Sequence, residues 1–170
     1  MKLIISDLKI PIHSNKDIFV IQNDGNMKPC MGCFNCWVGK EKQCIIKDGY
    51  EDIGDKMSQC DEIIVLSEGI YGEFSPFIKR VFDRSIGYVK PFFSIKKGKM
   101  HHKRRFQNIM SVSAFIYGEN LTFDEKETMK EMLSANADNY ESTINLISFY
   151  QTSERALEAV NEYSNHKRES

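Results

Sequence analysis

The chain clusters four of its five cysteines between positions 30 and 44, as Cys30, Cys33, Cys36 and Cys44. Their spacing is C-x2-C-x2-C-x7-C. The two short spacings let successive sulfurs curl around one point, and the longer segment can bring the fourth sulfur from the opposite side. Four thiolates are the ligand set of a [4Fe–4S] cluster and also of a structural zinc ion. Zinc modules usually separate their two C-x2-C pairs, whereas here the pairs share Cys33, so the pattern favours the iron–sulfur cluster.

Zinc and free thiols remain open as alternatives. Closely spaced cysteines can also be half-buried packing residues or a redox-active dithiol. Cys60 stands apart at the end of a predicted helix, before an apolar run, and we expect it to be a small buried side chain. Trp37 follows Cys36 directly, and we expect it to pack over the cysteine segment.

Three further patterns each have a functional and a structural interpretation. The basic run at 101–105 (His-His-Lys-Arg-Arg) could bind nucleotide phosphates, or it could be a solvated loop. Asp83 and Arg84 follow an amphipathic helix and would form a surface or helix-end ion pair worth about 0–1 kcal/mol. The aromatic residues around Pro91 could pack in the core, line a flavin pocket or form a subunit contact: Tyr88, Phe92 and Phe93. No G-x-x-x-x-G-K-[ST] or G-x-G-x-x-G motif is present, which disfavours nucleotide hydrolysis and a standard dinucleotide site.

Composition narrows the class of protein. The chain has 170 residues and a formal net charge of -1, so it lacks the excess of cations that a dedicated nucleic-acid binder uses. No apolar run reaches the roughly 18 residues of a membrane span. Residues 1–8 do not have the pattern of a signal peptide. We therefore expect a cytoplasmic protein with reduced thiols, without nucleic-acid or membrane partners. Residues 1–164 would form one domain, and residues 165–170 a frayed tail.

Strands alternate with helices along the chain. Apolar runs predict strands at 2–5, 17–21, 62–66, 108–115 and 144–149. Helix-start signals occur at Asp48, at Ser75-Pro76, at Asp124 and at Ser153. This alternation predicts an α/β protein with a flavodoxin-like three-layer α/β/α sandwich and a five-stranded parallel sheet of order 2-1-3-4-5. Only residues 7–16 join the first two strands, which is too short for a full crossover, so the first helix should be shortened or missing.

The cysteine segment resembles that of the flavodoxin-like NADPH-dependent FMN reductases, in particular their iron–sulfur flavoprotein branch. The resemblance begins at Pro29-Cys30-Met31-Gly32-Cys33-Phe34-Asn35-Cys36-Trp37 and runs through Cys44-Ile45-Ile46-Lys47-Asp48. It continues in the Ser67–Arg84 stretch and in the His-His stretch at 101–102. Residues 28–106 carry it well, and the rest resembles the family only at the level of the fold.

The resemblance implies a flavin-dependent oxidoreductase that passes electrons from NAD(P)H through FMN. FMN would lie at the carboxyl ends of the strands, and the cysteines would bind a [4Fe–4S] cluster. Its partners would be a small-molecule redox substrate or an electron-transfer protein, and the protein would be a homodimer or tetramer. The implied flavin contacts lie in the loops after the third and fourth strands: Ser67, Glu68, Gly69, Ile70, Tyr71, Gly72, Phe74, Tyr117 and Gly118. Within them, Gly69 and Gly72 would admit the flat ring, and Tyr71 and Phe74 would stack on it or shield it.

The segment after the first strand departs from the family pattern. It reads Ser6-Asp7-Leu8-Lys9-Ile10-Pro11, without the glycine of a phosphate loop, and the Asp7 carboxylate would repel a phosphate. The nearest other donors in sequence are Ser6, Lys9, Ser14 and Asn15. Two further hypotheses follow: a degenerate family member without flavin that acts as a metal-binding or protein-interaction module, and a thiol redox sensor.

Overall fold

The computed structural model describes residues 1–40, 42–96 and 98–166. Its strands are β1 (Lys2–Ser6), β2 (Ile18–Gln22), β3 (Glu62–Ile70), β4 (Glu73–Phe74), β5 (Val89–Lys96), β6 (Lys99–Arg104), β7 (Ser111–Tyr117) and β8 (Thr143–Tyr150). Its helices are α1 (Asn35–Val38), α2 (Ile53–Ser58), α3 (Pro76–Asp83), α4 (Phe123–Tyr140) and α5 (Ser153–His166), with a short 3₁₀ turn at Ile86–Tyr88.

Five parallel strands form the central sheet in the order β2-β1-β3-β7-β8. This is the predicted order 2-1-3-4-5, because β7 and β8 are the fourth and fifth predicted strands. The short β4 pairs antiparallel with the end of β3. The flavodoxin-like α/β prediction is therefore confirmed.

Alternate residues of the strands face two separate apolar layers, as a parallel sheet covered on both faces requires. One layer packs Leu3, Ile63 and Val65 against α2, α3 and α4. The other packs Ile4 and Ile64 against Ala156 and Val160 of α5. Together the layers make the three-layer sandwich.

The connection between β1 and β2 contains no helix, as its length predicts. Ile10 of this connection is buried where a first helix would pack, and the Ile10 backbone N–H donates to Gln22 Oε1 at 3.0 Å. Leu8 and Ile12 also pack against the core on the α5 side of the sheet. A loop of alternating apolar residues thus covers the area that a first helix would cover.

A two-stranded hairpin, β5–β6, stands outside the central sheet, and the sequence did not predict it. Residues 101–104 of the basic run lie in strand β6 rather than in a solvated loop, and Arg105 follows the strand. Of the aromatic residues before it, Tyr88 is buried in the core, whereas Phe92 and Phe93 are exposed. Two consecutive exposed phenylalanines break the alternation by which a strand is usually recognised.

Three helix boundaries differ from the predictions. α2 begins at Ile53 rather than at Asp48, because the Asp48 carboxylate accepts from Arg84 and from the Lys28 and Tyr50 N–H groups instead of capping a helix. α4 begins after Thr122, whose hydroxyl accepts from the Glu125 N–H while the Glu125 carboxylate accepts from the Thr122 N–H. The N-cap residue, Thr122, lies two residues before Asp124, where the sequence predicted the helix to start. α5 continues through His166, and the predicted frayed tail otherwise falls on residues 167–170, outside the described residues. None of the helices described is both long enough and apolar enough to span a bilayer.

Candidate functional site

The four clustered cysteines line a single cavity of about 80 Å³. Cys30 and Cys33 are exposed, Cys36 is half-buried and Cys44 is buried. The cavity therefore has an open side at the first two cysteines and a closed side at the fourth. All four thiols therefore lie along the wall of one cavity, and their convergence on a shared metal centre stays a prediction from the spacing.

The size of the cavity matters for the metal it suits. A water molecule needs about 10–15 Å³ by the same measure, so the space between the thiols admits a group several times larger. Among the residues described, no three His, Cys, Asp or Glu side chains surround a point as the ligands of a single ion do. A [4Fe–4S] cluster and a structural zinc ion both take four thiolates, so the four cysteines suit either group by the chemistry of their donors.

The backbone of the cysteine segment is held by local turns. Gly32 and Phe34 have φ values of 69° and 56°, in the left-handed region. Phe34 then precedes the single turn of α1, which contains Cys36. A side chain at Gly87 would place its Cβ only 2.9 Å from the Cys36 carbonyl oxygen. The segment can approach the turn after α3 because residue 87 is a glycine.

A buried ion pair ties both ends of the cysteine segment to α3. Arg84 Nη1 donates to Asp48 Oδ2 at 2.6 Å, and Nη2 donates to Asp48 Oδ1 at 2.9 Å. Nη1 also donates to the Lys28 carbonyl and Nη2 to the Tyr50 carbonyl. The sequence suggested a surface or helix-end ion pair for Arg84. Its side chain is instead fully buried, and its partner is 36 residues away in the sequence.

Arg84 is also part of the cavity wall, together with Asp83. Burial alone would lower the pKa of Arg84, but Asp48 and Cys44 raise it above its ordinary value. Burial and the neighbouring cysteines raise the pKa of Cys36. Several thiols packed together favour their neutral form in the absence of a cation, and a metal centre supplies the missing positive charge.

Trp37 joins the cysteine segment to the hairpin. Its indole N–H donates to the Val89 carbonyl at 3.1 Å, and its own carbonyl accepts from Arg105 Nη2 at 2.7 Å. Its ring meets those of Phe34 and His102, with centroids 5.4 and 5.2 Å away. The last arginine of the basic run thus holds backbone carbonyls, a structural role that the sequence did not reveal.

The predicted flavin residues lie at the carboxyl ends of β3 and β7, but not all are at the surface. Tyr71 is 91% exposed, and Glu68 is exposed too. Ser67 is buried, with its hydroxyl accepting from the Ser75 N–H at 3.0 Å. Phe74 is buried and stacks on Phe82 in the core, so Tyr71 is the aromatic residue of this loop that a flat ring could reach.

The glycines of these loops make room for the chain's own side chains. A Cβ at Gly69 or Gly118 would come within 3.0 Å of Leu121. At Gly72, where φ is 76°, it would come within 3.1 Å of Thr128. Sequence reasoning assigned Gly69 and Gly72 to the approach of a flavin ring and overlooked Leu121. Ile70, between them, is half-buried.

Asp7 occupies the crevice after β1. Its carboxylate accepts from the Glu68 N–H at 2.7 Å and from the Tyr117 hydroxyl at 3.0 Å. Burial raises its pKa, although these donors act in the opposite direction. An internal carboxylate thus uses hydrogen-bond donors at the edge where a flavoprotein of this fold would bind its cofactor.

The residues after β1 do not fit the phosphate of FMN. No helix N-terminus follows β1, and Asp7 supplies negative charge there. Ser6 Oγ bonds with Leu8, and Asn15 Oδ1 accepts from the N–H groups of Asp17 and Ile18 at the opposite, amino end of the sheet. Ser14 Oγ accepts from the Val20 N–H. Lys9 is exposed and is the one cation of this segment before Pro11.

Comparison with known proteins gives two distant relatives, and no family model matches the chain. One is an iron–sulfur flavoprotein of Methanocaldococcus jannaschii, 36% identical over 67 residues, which are 39% of this chain and 34% of the relative. The other is an iron–sulfur flavoprotein of Methanosarcina thermophila, 31% identical over 80 residues, which are 47% of this chain and 40% of the relative. The match thus spans well under half the length of either relative.

Proposed function

We propose that the chain is an electron-transfer protein whose redox group is a [4Fe–4S] cluster bound by Cys30, Cys33, Cys36 and Cys44. The observation that carries the proposal is the single cavity that these four thiols line. The names of the two distant relatives agree with this choice of metal centre. Four thiolates supply the complete ligand set, so no other side chain is needed.

Each part of the site has a defined task. The thiols are the ligands, and the apolar side chains of Met31, Phe34, Ile46 and Ile86 line the rest of the cavity. When bound, such a cluster accepts and donates single electrons. Apolar walls limit water around it, and the potential of an iron–sulfur centre depends on this exposure. The exposed side at Cys30 and Cys33 is the shortest route for an electron to a partner.

A flavin is the second candidate group, favoured by the relatives' name. Its ring would face the exposed Tyr71 and the 117–118 turn, as the family resemblance implies. The phosphate of FMN does not fit the segment after β1, so the proposed electron transfer depends on the cluster alone. NAD(P)H-dependent reduction of FMN, with a small molecule or an electron-transfer protein as acceptor, remains a prediction from that resemblance.

The test is assembly of the cluster in matched cysteine variants. Protein is isolated without oxygen and loaded with iron and sulfide, and its visible and electron paramagnetic resonance spectra are recorded. Cys36→Ala and Cys44→Ala should lose the cluster signals, whereas Cys60→Ala should keep them, because Cys60 is buried in the core away from the cavity. Equal spectra in all three variants, or no cluster in the parent protein, would contradict the proposal.

A further inference from the structure

One donor of the Arg84 side chain has no acceptor. Nη1 and Nη2 are bound to Asp48 and to backbone carbonyls, but Nε is buried and makes no hydrogen bond within the described part of the chain. The residue as a whole is only 3% exposed, so water cannot easily serve in its place. Buried donors are nearly always satisfied, and an orphaned one calls for an explanation.

The position of Arg84 in the cavity wall suggests which atom accepts from Nε: the Cys44 sulfur. The residue lines the same cavity as Cys44. Cys44 is the buried member of the four, at the closed side of the cavity. A thiol is a weak acceptor, but a thiolate is a strong one, and hydrogen bonds from charged donors are the stronger kind.

Resting on the proposed function, we propose that Arg84 Nε–H donates a hydrogen bond to the Cys44 sulfur when that sulfur binds iron, and thereby raises the reduction potential of the cluster. Reduction adds one electron and no compensating charge to the centre. A donor directed at a ligand sulfur stabilises the more negative, reduced state over the oxidised one. Arg84 thus sets the potential rather than binding the metal.

Asp48 acts as a positioning residue for this donor. Its two oxygens hold both terminal nitrogens of the guanidinium, which fixes the plane of the group. The carboxylate also offsets the formal charge of Arg84, so the buried pair is close to neutral. The effect on the cluster then comes mainly from one oriented N–H, which a lysine at this position would lack even though it could still pair with Asp48.

The first test compares midpoint potentials, measured by stepwise reduction with dithionite. In Arg84→Lys the ratio of reduced to oxidised cluster at a fixed ambient potential should fall about tenfold, which is a shift of about 59 mV for one electron. Arg80→Lys is the matched control, because Arg80 lies one turn earlier on α3, is exposed and does not line the cavity. A cluster in Arg84→Lys with the potential of the parent protein would overturn the inference.

The second test leaves Arg84 and the cysteines unchanged, so it does not depend on a variant of the site. The parent protein is labelled with ¹⁵N-arginine, and its reduced cluster is studied by pulsed electron paramagnetic resonance. We expect a coupling between an arginine ¹⁵N and the unpaired electron of the cluster in the parent protein, and the same coupling in labelled Arg80→Lys. Absence of that coupling in the parent would overturn the inference while leaving the proposed function intact. Absence of any cluster in the parent would contradict the proposed function itself and this inference with it.

Discussion

The Arg84 guanidinium holds the Asp48 carboxylate with both of its terminal nitrogens, at 2.6 and 2.9 Å, and both side chains are almost completely buried. Asp48 closes the segment that contains the cysteines, and Arg84 follows α3 directly. The pair therefore fixes an otherwise irregular loop against the sheet. It also brings a charged donor to the wall of the cavity that the cysteines line.

Loss of the carboxylate should be costly. In Asp48→Asn the buried guanidinium loses its counter-ion, and breaking such a pair typically costs about 3–5 kcal/mol. We expect the free energy of unfolding in urea to fall by about that amount. Asp52→Asn is the control, because its ion pair with Lys56 is partly exposed and worth about 0–1 kcal/mol. Equal, small losses in both variants would show that the buried pair does not hold the loop.

The contact between Gly87 and the cysteine segment predicts a steric effect. Gly87→Ala would place a methyl group 2.9 Å from the Cys36 carbonyl oxygen, so the segment must move. We expect a loss of about 1–3 kcal/mol in thermal or urea unfolding and weaker retention of iron. Gly54→Ala, whose new Cβ would meet its nearest atoms at 3.4 Å, should be neutral or slightly stabilising. A Gly87→Ala protein as stable as the parent would contradict the close packing.

The Asp7 network predicts an unusual preference among flavins. Because the segment after β1 offers a carboxylate and no helix N-terminus, FMN should bind no more tightly than riboflavin, which lacks the phosphate. Replacing the carboxylate in Asp7→Ser should shift the preference toward FMN, whereas Asp17→Ser, at the amino end of the sheet, should not. Fluorescence titration measures both affinities. If the parent protein bound FMN about tenfold more tightly than riboflavin, a difference of about 1.4 kcal/mol, the segment after β1 would favour a phosphate and the prediction would be wrong.

Cys60 should be chemically inert in the folded protein. Burial raises its pKa to about 11, so the thiol stays protonated at pH 9, where an unfolded cysteine is largely ionised. Iodoacetamide at pH 9 should modify the exposed Cys30 and Cys33 of the metal-free protein and leave Cys60 unmodified, as read by mass spectrometry. If Cys60 were modified as fast as Cys30 and Cys33, its thiol would be accessible to the reagent and the prediction would be wrong.

The same shift gives the sign of a pH effect on stability. The folded state binds the Cys60 proton more tightly than the unfolded state does. This contribution is complete below the ordinary cysteine pKa of about 8.5 and is lost as the pH rises toward about 11. Cys60→Ala should flatten the fall in unfolding free energy over that range, and an unchanged slope would argue against the shift.

Features set by local spacing could be predicted from the sequence. The cysteine motif and the missing first helix depend on the short stretches 30–44 and 7–16, and the strand order follows from the alternation of strands and helices along the chain. The partner of Arg84 could not be predicted, because Asp48 is 36 residues away and the pairing leaves no periodic trace. The hairpin was missed because Phe92 and Phe93 are both exposed. The packing of Leu121 against Gly69 and Gly118 was missed because only the folded sheet brings these residues together.

The central claim is that the cavity between Cys30, Cys33, Cys36 and Cys44 binds an iron–sulfur cluster. Its most direct test is the content of iron, zinc and acid-labile sulfide per chain in protein purified without oxygen. We predict about four iron and about four sulfide per chain, with zinc well below one. About one zinc per chain without sulfide, or no metal after reconstitution, would contradict the account.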